Sequence, residues 1–197
     1  PGHHAERDRG LGFCLLANAA LSAIYARDKY NLKKIAIVDF DAHHGNGTQQ
    51  AFYNDSGVLF FSIHQDRNYP SNSGHISEIG EGEGEGYNVN IPLPPGSGVG
   101  AYEYAFDKCI IPAIREYNPE LIIVSCGFDA SAFDPLARMM LCSSSYRVFT
   151  EKLMNAAEKC CSGRLCYIHE GGYSKTVVPM CGLKTIEQLC GISEEES

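Results

Sequence analysis

No apolar run of about 18 residues or more occurs in this 197-residue chain, so no transmembrane helix is expected. Basic clusters are missing too. Lysines and arginines are scattered among more numerous carboxylates, and the formal net charge is −8. A protein that grips nucleic acid needs a basic stripe to displace counterions from phosphates, so no direct nucleic-acid partner is expected. An acidic surface favours cationic partners such as lysine-rich peptides or polyamines. The first ten residues, PGHHAERDRG, have neither the basic start nor the apolar stretch of a secretory signal, which points to a cytoplasmic, intracellular protein. They lack an initiator Met and begin abruptly, as a fragment would. Neither Cys-x-x-Cys nor a four-ligand spacing appears among the nine cysteines, which argues against a thiolate zinc site. Cys109, Cys126 and Cys166 lie in apolar runs, so reduced, buried thiols are expected.

Short apolar runs alternate with longer amphipathic stretches. Strands are expected at 33–40, 58–64, 87–93, 121–127 and 164–170. Helical spacing occurs at 11–29, 48–55, 99–117 (interrupted at Pro112), 143–161 and 175–190. Fully apolar strands separated by helices indicate a mostly parallel sheet covered on both faces. The expected fold class is therefore α/β, a three-layer α-β-α arrangement with right-handed crossovers, in one domain over 1–197. The segment EGEGEG at 81–86 contains Gly-x-Gly but opens no helix after a strand, so it reads as a solvated loop and not a dinucleotide site.

Three polar clusters follow the carboxyl ends of expected strands, the edge where open α/β sheets bind ligands. The first, DFDAHHGNG at 39–47, sets Asp41 and His43 two apart, so that in extended chain both project to one side. Asp129, in GFDASAFDPL, can add a third ligand from another strand. Three N/O ligands with an open position describe a catalytic metal site, where a water is acidified and a carbonyl polarised. The third cluster, HEGGYS at 169–174, puts Tyr173 on a Gly-Gly turn, from which a phenol can donate to a developing oxyanion or simply pack. Adjacent His3 and His4 need partners to set tautomer and charge, and Asp39 and Asn46 are available. Near a chain terminus such a pair also fits a tag remnant or a surface loop.

Together the stretches PGHHA, GFC, VDFDAHHGNGTQ, VLFFSIHQD, YNVNIPL, GFDASAFDPLARM and HEGGYS resemble the histone deacetylase family, most nearly its class II branch and the bacterial histone-deacetylase-like amidohydrolases. The resemblance spans nearly the whole chain and keeps the order of the motifs. It implies an arginase/deacetylase-like fold and zinc bound by Asp41, His43 and Asp129. His4 would be the general base with His3 beside it, held by Asn46 and Asp39 respectively. Tyr173 would stabilise the oxyanion. Phe13 and Tyr69, with Gly12 and Gly171, would line a channel for an acetyl-lysine stem. A structural K+ or Na+ would sit at Asp39, Asp41, His43, Ser62 and Ile63, and a second at Phe52, Asp55, Val58 and Tyr87. Family domains are longer at the amino end, so the resemblance also implies a catalytic domain lacking its amino-terminal part.

The activity so implied is hydrolysis of acetyl-lysine peptides, with acetylated polyamines as the alternative substrate because both present an acetamide on a slender stem. Ferrous iron is the alternative metal, since N/O sites accept both. A binuclear manganese ureohydrolase would need a second Asp-x-Asp pair, and Ala130 and Ser131 follow Asp129 instead. A truncated module that binds without turnover is the alternative from a different class. Nothing in the sequence decides oligomeric state, and an oligomer stays open.

Overall fold

The computed structural model describes residues 1–193. Its strands are β1 (Ile35–Asp39), β2 (Val58–Gln65), β3 (Asn88–Leu93), β4 (Leu121–Cys126) and β5 (Leu165–His169). They interleave with helices α1 (Asn18–Tyr30), α2 (Asn46–Phe52), α3 (Val99–Ala105), α4 (Ile111–Tyr117), α5 (Ser143–Cys161) and α6 (Val178–Leu189). The strands form one five-stranded parallel sheet in the order β3-β2-β1-β4-β5. Every residue of β1 and β2 is buried, as strands covered on both faces require. The three-layer α/β arrangement is the one expected.

Successive side chains point to opposite faces, and the two faces pack differently. Ala36, Val38, Leu59, Phe61, Ile122 and Val124 meet an aromatic cluster from α3, α5 and the turn between α3 and α4. In that cluster Phe106 stacks on Phe149 with centroids 4.8 Å apart. On the other face Ile35, Ile37, Val58, Phe60 and Ile123 meet the row Ala19, Ala20, Ala23 and Ala26 of α1. Alanine's short side chain lets that helix lie close to the sheet.

The order runs outward from β1 to β3 on one side and restarts at β4 on the other. A crevice therefore opens beyond the carboxyl ends of β1 and β4, the topological switch point of such sheets. The clusters after β1, β4 and β5 end on three adjacent strands.

Several expectations are corrected. The helix expected over 11–29 begins only at Asn18, because Gly12 (φ 53°) and Phe13 (φ 65°) are left-handed and cannot continue a right-handed helix. Pro112 does not interrupt the 99–117 helix. A π-turn over Phe106–Ile110 lets the Ile111 N–H donate to the Phe106 carbonyl five residues back. The ladder is thus shifted before the residue that has no N–H to give. Helix α6 starts at Val178, where Pro179 falls in the first turn. All nine cysteines are free, but Cys142, Cys166 and Cys190 are exposed and Cys109 and Cys160 only partly buried. Cys166 lies on edge strand β5, on the side opposite Leu165 and Tyr167, which pack on the larger core.

Candidate metal and acid–base site

Asp41, His43 and Asp129 meet in the crevice, with one potential ligand atom from each within 4.8 Å of the others. His43 Nδ1 lies 3.0 Å from both Asp41 Oδ1 and Asp129 Oδ2. Asp41 and His43 belong to a bend after β1, not to extended chain, and the His43 backbone N–H donates to Asp41 Oδ1 at 2.8 Å. The outward carboxylate oxygens are fixed by main chain. Gly171 N–H donates to Asp41 Oδ2 and Ala42 N–H to Asp129 Oδ1, both at 2.7 Å. Glycine is required at this contact, because a Cβ on Gly127 would lie 2.1 Å from Asp41 Oδ2 and one on Gly171 2.3 Å from Asp129 Oδ2.

This donor set fits a divalent cation. Burial, and then the Asp41 charge, push the Asp129 carboxyl up to about 7. Burial opposes a charge on His43, yet hydrogen bonds to Asp129 and Asp41 and their charges raise it to about 10. In both cases the surroundings favour positive charge between two wholly buried carboxylates, and a bound divalent ion supplies it. Two carboxylates, one imidazole and an open cavity side are the ligand types of a catalytic site.

The histidine pair is split by its environment. Burial lowers the pKa of either ring, but for His3 the charges of Asp39 and Asp41 outweigh it and hold the imidazole well above the usual range. His3 Nδ1 is 2.8 Å from Asp39 Oδ2. Burial together with the His3 charge takes His4 down to about 3. His4 Nδ1 is 2.8 Å from Asn46 Oδ1, and its Nε2 makes no hydrogen bond among the described residues. Neighbouring groups with pKa values driven apart are the arrangement that separates a base from a charged partner. Burial likewise raises the Asp39 carboxyl, to about 7.

A cavity of about 350 Å³ opens over the cluster, lined by His4, Gly12, Phe13, His43, Asn68, Tyr69, Leu136 and Tyr173. Burial first, then the charges of Asp41 and Asp129, raise the Tyr173 phenol, so it stays a donor at neutral pH. The Phe13 and Tyr173 rings are 6.1 Å apart, and the Tyr69 ring stands edge-on to His4 at 5.0 Å. A Cβ on Gly12 would strike His4 Cδ2 at 2.2 Å. Gly171 lies beneath the cavity, its would-be Cβ 3.1 Å from the Tyr173 hydroxyl.

The positions assigned to monovalent cations are also neighbours. Asp39 pairs with Ser62 across β1 and β2, and Ser62 Oγ is 2.9 Å from His64 Nδ1. Ile63 is the next residue along β2 and is fully buried. At the second set the Asp55 N–H donates to the Phe52 carbonyl at 3.0 Å and Val58 N–H to the Asp55 carbonyl at 3.4 Å. The Tyr87 carbonyl accepts from Phe60 N–H at 2.9 Å. Arg27 already pairs with the Asp55 carboxylate, supplying positive charge there.

Sequence reasoning assigned no role to three carboxylates. Glu170 accepts Gly2 N–H (2.6 Å), His3 N–H (3.1 Å) and the Ser125 hydroxyl (3.1 Å), pinning the amino-terminal loop to the sheet. Asp134 accepts Tyr173 N–H at 2.7 Å and Leu136 N–H at 2.9 Å, tying two cavity walls together. Glu6 accepts from the Asn46 amide at 2.8 Å. Asp-Pro at 134–135 was a turn signal for the second; Glu170 lay inside the HEGGYS cluster without a role of its own, and no local pattern marked Glu6.

Residues 1–189 match the family described as the histone deacetylase domain. A histone deacetylase-like amidohydrolase of Pseudomonas aeruginosa is 46% identical over 192 residues, covering 98% of this chain and 50% of that protein. A chloroplastic histone deacetylase 10 of Oryza sativa subsp. japonica is 44% identical over 174 residues, 88% of this chain and 39% of its own. Among solved structures, the HD domain of HDA15 has a TM-score of 0.91 at 37% identity, covering 98% of this chain and 54% of that one. The chain therefore spans about half, or less, of the length of these relatives. Among the described residues, no helix is long and apolar enough to cross a membrane.

Proposed function

The chain belongs to the histone deacetylase domain family, and from that premise we propose that the protein hydrolyses the acetamide of acetyl-lysine in a zinc-dependent reaction. One observation carries the reading: the Asp41–His43–Asp129 cluster, a neutral His4 and a protonated Tyr173 converge at a single cavity. Asp41, His43 and Asp129 would hold the ion. Bound there, zinc supplies Lewis acidity to a carbonyl oxygen and lowers the pKa of water to roughly 7.

The chain's own groups account for the rest. His4, uncharged and with Nε2 unengaged, takes a proton from the attacking water as it adds to the acetamide carbon. Tyr173 donates a hydrogen bond to the oxygen that gains charge. The C–N bond then breaks, and a histidine of the pair returns the proton to the leaving nitrogen, so water and amide become acetate and amine. His3, charged beside Asp39, keeps positive potential next to the developing oxyanion. Phe13 and Tyr69 flank the route by which a slender alkyl stem would reach the floor.

The test combines metal analysis by mass spectrometry with turnover of a fluorogenic acetyl-lysine peptide by the full-length protein. About one zinc per chain and chelator-sensitive turnover are expected, with His4→Ala and Tyr173→Phe each lowering kcat by roughly 100-fold or more. Unchanged turnover in either folded variant would remove that residue from the mechanism. Running acetylated putrescine beside the peptide distinguishes a polyamine substrate.

A further inference from the structure

The hydrogen bonds around Asn46 run in one direction, from His4 to Asn46 to Glu6, and Glu6 stands at their end as the final acceptor. A histidine that is to take a proton at Nε2 must keep its own proton on Nδ1. His4 Nδ1 faces Asn46 Oδ1 at 2.8 Å, which accepts that proton's hydrogen bond. Unlike a carboxylate, an asparagine amide has two unlike ends: its oxygen accepts and its nitrogen donates. With the amide turned over, Asn46 Nδ2 would donate to His4 Nδ1. The ring proton would then move to Nε2, and the base would have no lone pair to offer.

Glu6 forbids that orientation. Asn46 Nδ2 donates to Glu6 Oε1 at 2.8 Å, and an ionised carboxylate can only accept. The carboxylate is itself anchored, because Arg9 Nε donates to Glu6 Oε2 at 2.7 Å and the Glu6 N–H donates to the Arg9 carbonyl at 3.0 Å. The Arg9 hydrogen bond also keeps the Glu6 carboxyl below its ordinary range, so it remains an acceptor at neutral pH. Resting on the reading of His4 as the base, we propose that Glu6 is a positioning residue that locks the amide of Asn46 and, through it, the tautomer of His4. Glu6 is absent from the cavity lining and acts only through Asn46. A carboxylate in place of the Asn46 amide would set two like charges face to face, so Glu6 and Asn46 form a matched pair.

The experiment is two-bond nitrogen–proton correlation NMR of the histidine-labelled, zinc-supplemented full-length protein at neutral pH. His4 is assigned by the signal lost in His4→Gln. The expected result is proton on Nδ1 in the parent and a growing share on Nε2 in Glu6→Ala. A parent ring protonated at Nε2, or a tautomer unmoved by Glu6→Ala, would overturn the proposal. Kinetics give a second readout. Glu6→Ala should lower kcat roughly tenfold, with KM within about twofold and metal content unchanged. In an Asn46→Asp background the same substitution should raise kcat, because either oxygen of the introduced carboxylate accepts from His4 and a like charge has been removed. Equal losses in both backgrounds would mean a merely structural role and would also overturn it. Full turnover by His4→Gln would sink the reading of His4 as base, while the NMR result would still decide what Glu6 does.

Discussion

The floor of the cavity and its rim are built on different principles. Asp39, Asp41 and Asp129 on the floor are wholly buried, whereas Phe13 on the rim is 77% exposed and Leu136 45%. Each floor carboxylate accepts a backbone N–H at the end of the sheet: Asp41 N–H to Asp39 (3.1 Å), Gly171 N–H to Asp41 and Ala42 N–H to Asp129. The rim consists of loop residues whose side chains are partly or largely exposed, and it meets the floor through main chain: the Leu136 carbonyl lies 3.4 Å from His43 Nε2 and the Tyr69 carbonyl accepts His44 N–H at 3.0 Å. Groups that need sub-ångström placement hang from the rigid element, and groups that select what enters sit where they can change without disturbing the fold.

The largest effect that would break this contrast is loss of a floor donor. Asp129→Ala removes one of the three proposed ligand atoms and the acceptor of Ala42 N–H. We expect zinc content to fall below detection and turnover to drop by at least about 100-fold. Mass spectrometry and a peptide assay on one preparation measure both; a fully metallated variant would refute the ligand assignment. Next is Gly127→Ala. Its new Cβ would press on Asp41 Oδ2 at 2.1 Å and on the Asp41 Cα at 2.7 Å, so backbone as well as side chain must move. About tenfold weaker zinc affinity, read by chelator competition, and a melting temperature lower by several degrees are expected. The smallest effect is Phe13→Ala, which should raise KM a few-fold while leaving kcat, metal content and melting temperature nearly unchanged. If Phe13→Ala cost metal or stability, floor and rim would not be separable.

Much of this fold was legible from local pattern. The apolar runs at β1, β2 and β4 could only be strands buried on both faces, and each boundary falls within a few residues of its expected place. Asp41, His43 and Asp129 stood out because carboxylates and a histidine just past apolar strands have no packing reason to be there. Pattern failed where a local conformation overrode it. Residues 11–17 carry helical spacing, but Gly12 and Phe13 take left-handed backbone. The 99–117 helix absorbs Pro112 through a π-turn that no periodicity announces.

By itself the sequence determined the parallel sheet, the family and the residue types gathered at the strand ends, because hydrophobic period and motif spacing are properties of neighbouring residues. Only the tertiary structure decided that Glu6 reaches Asn46, that Asp134 holds Tyr173, and that two adjacent histidines carry opposite tendencies to charge. Each of these depends on partners some 40 or, for Glu170 and His3, 167 positions apart in the chain. The strand order brings them within hydrogen-bond distance in a buried site, where weak solvent screening makes each contact decisive.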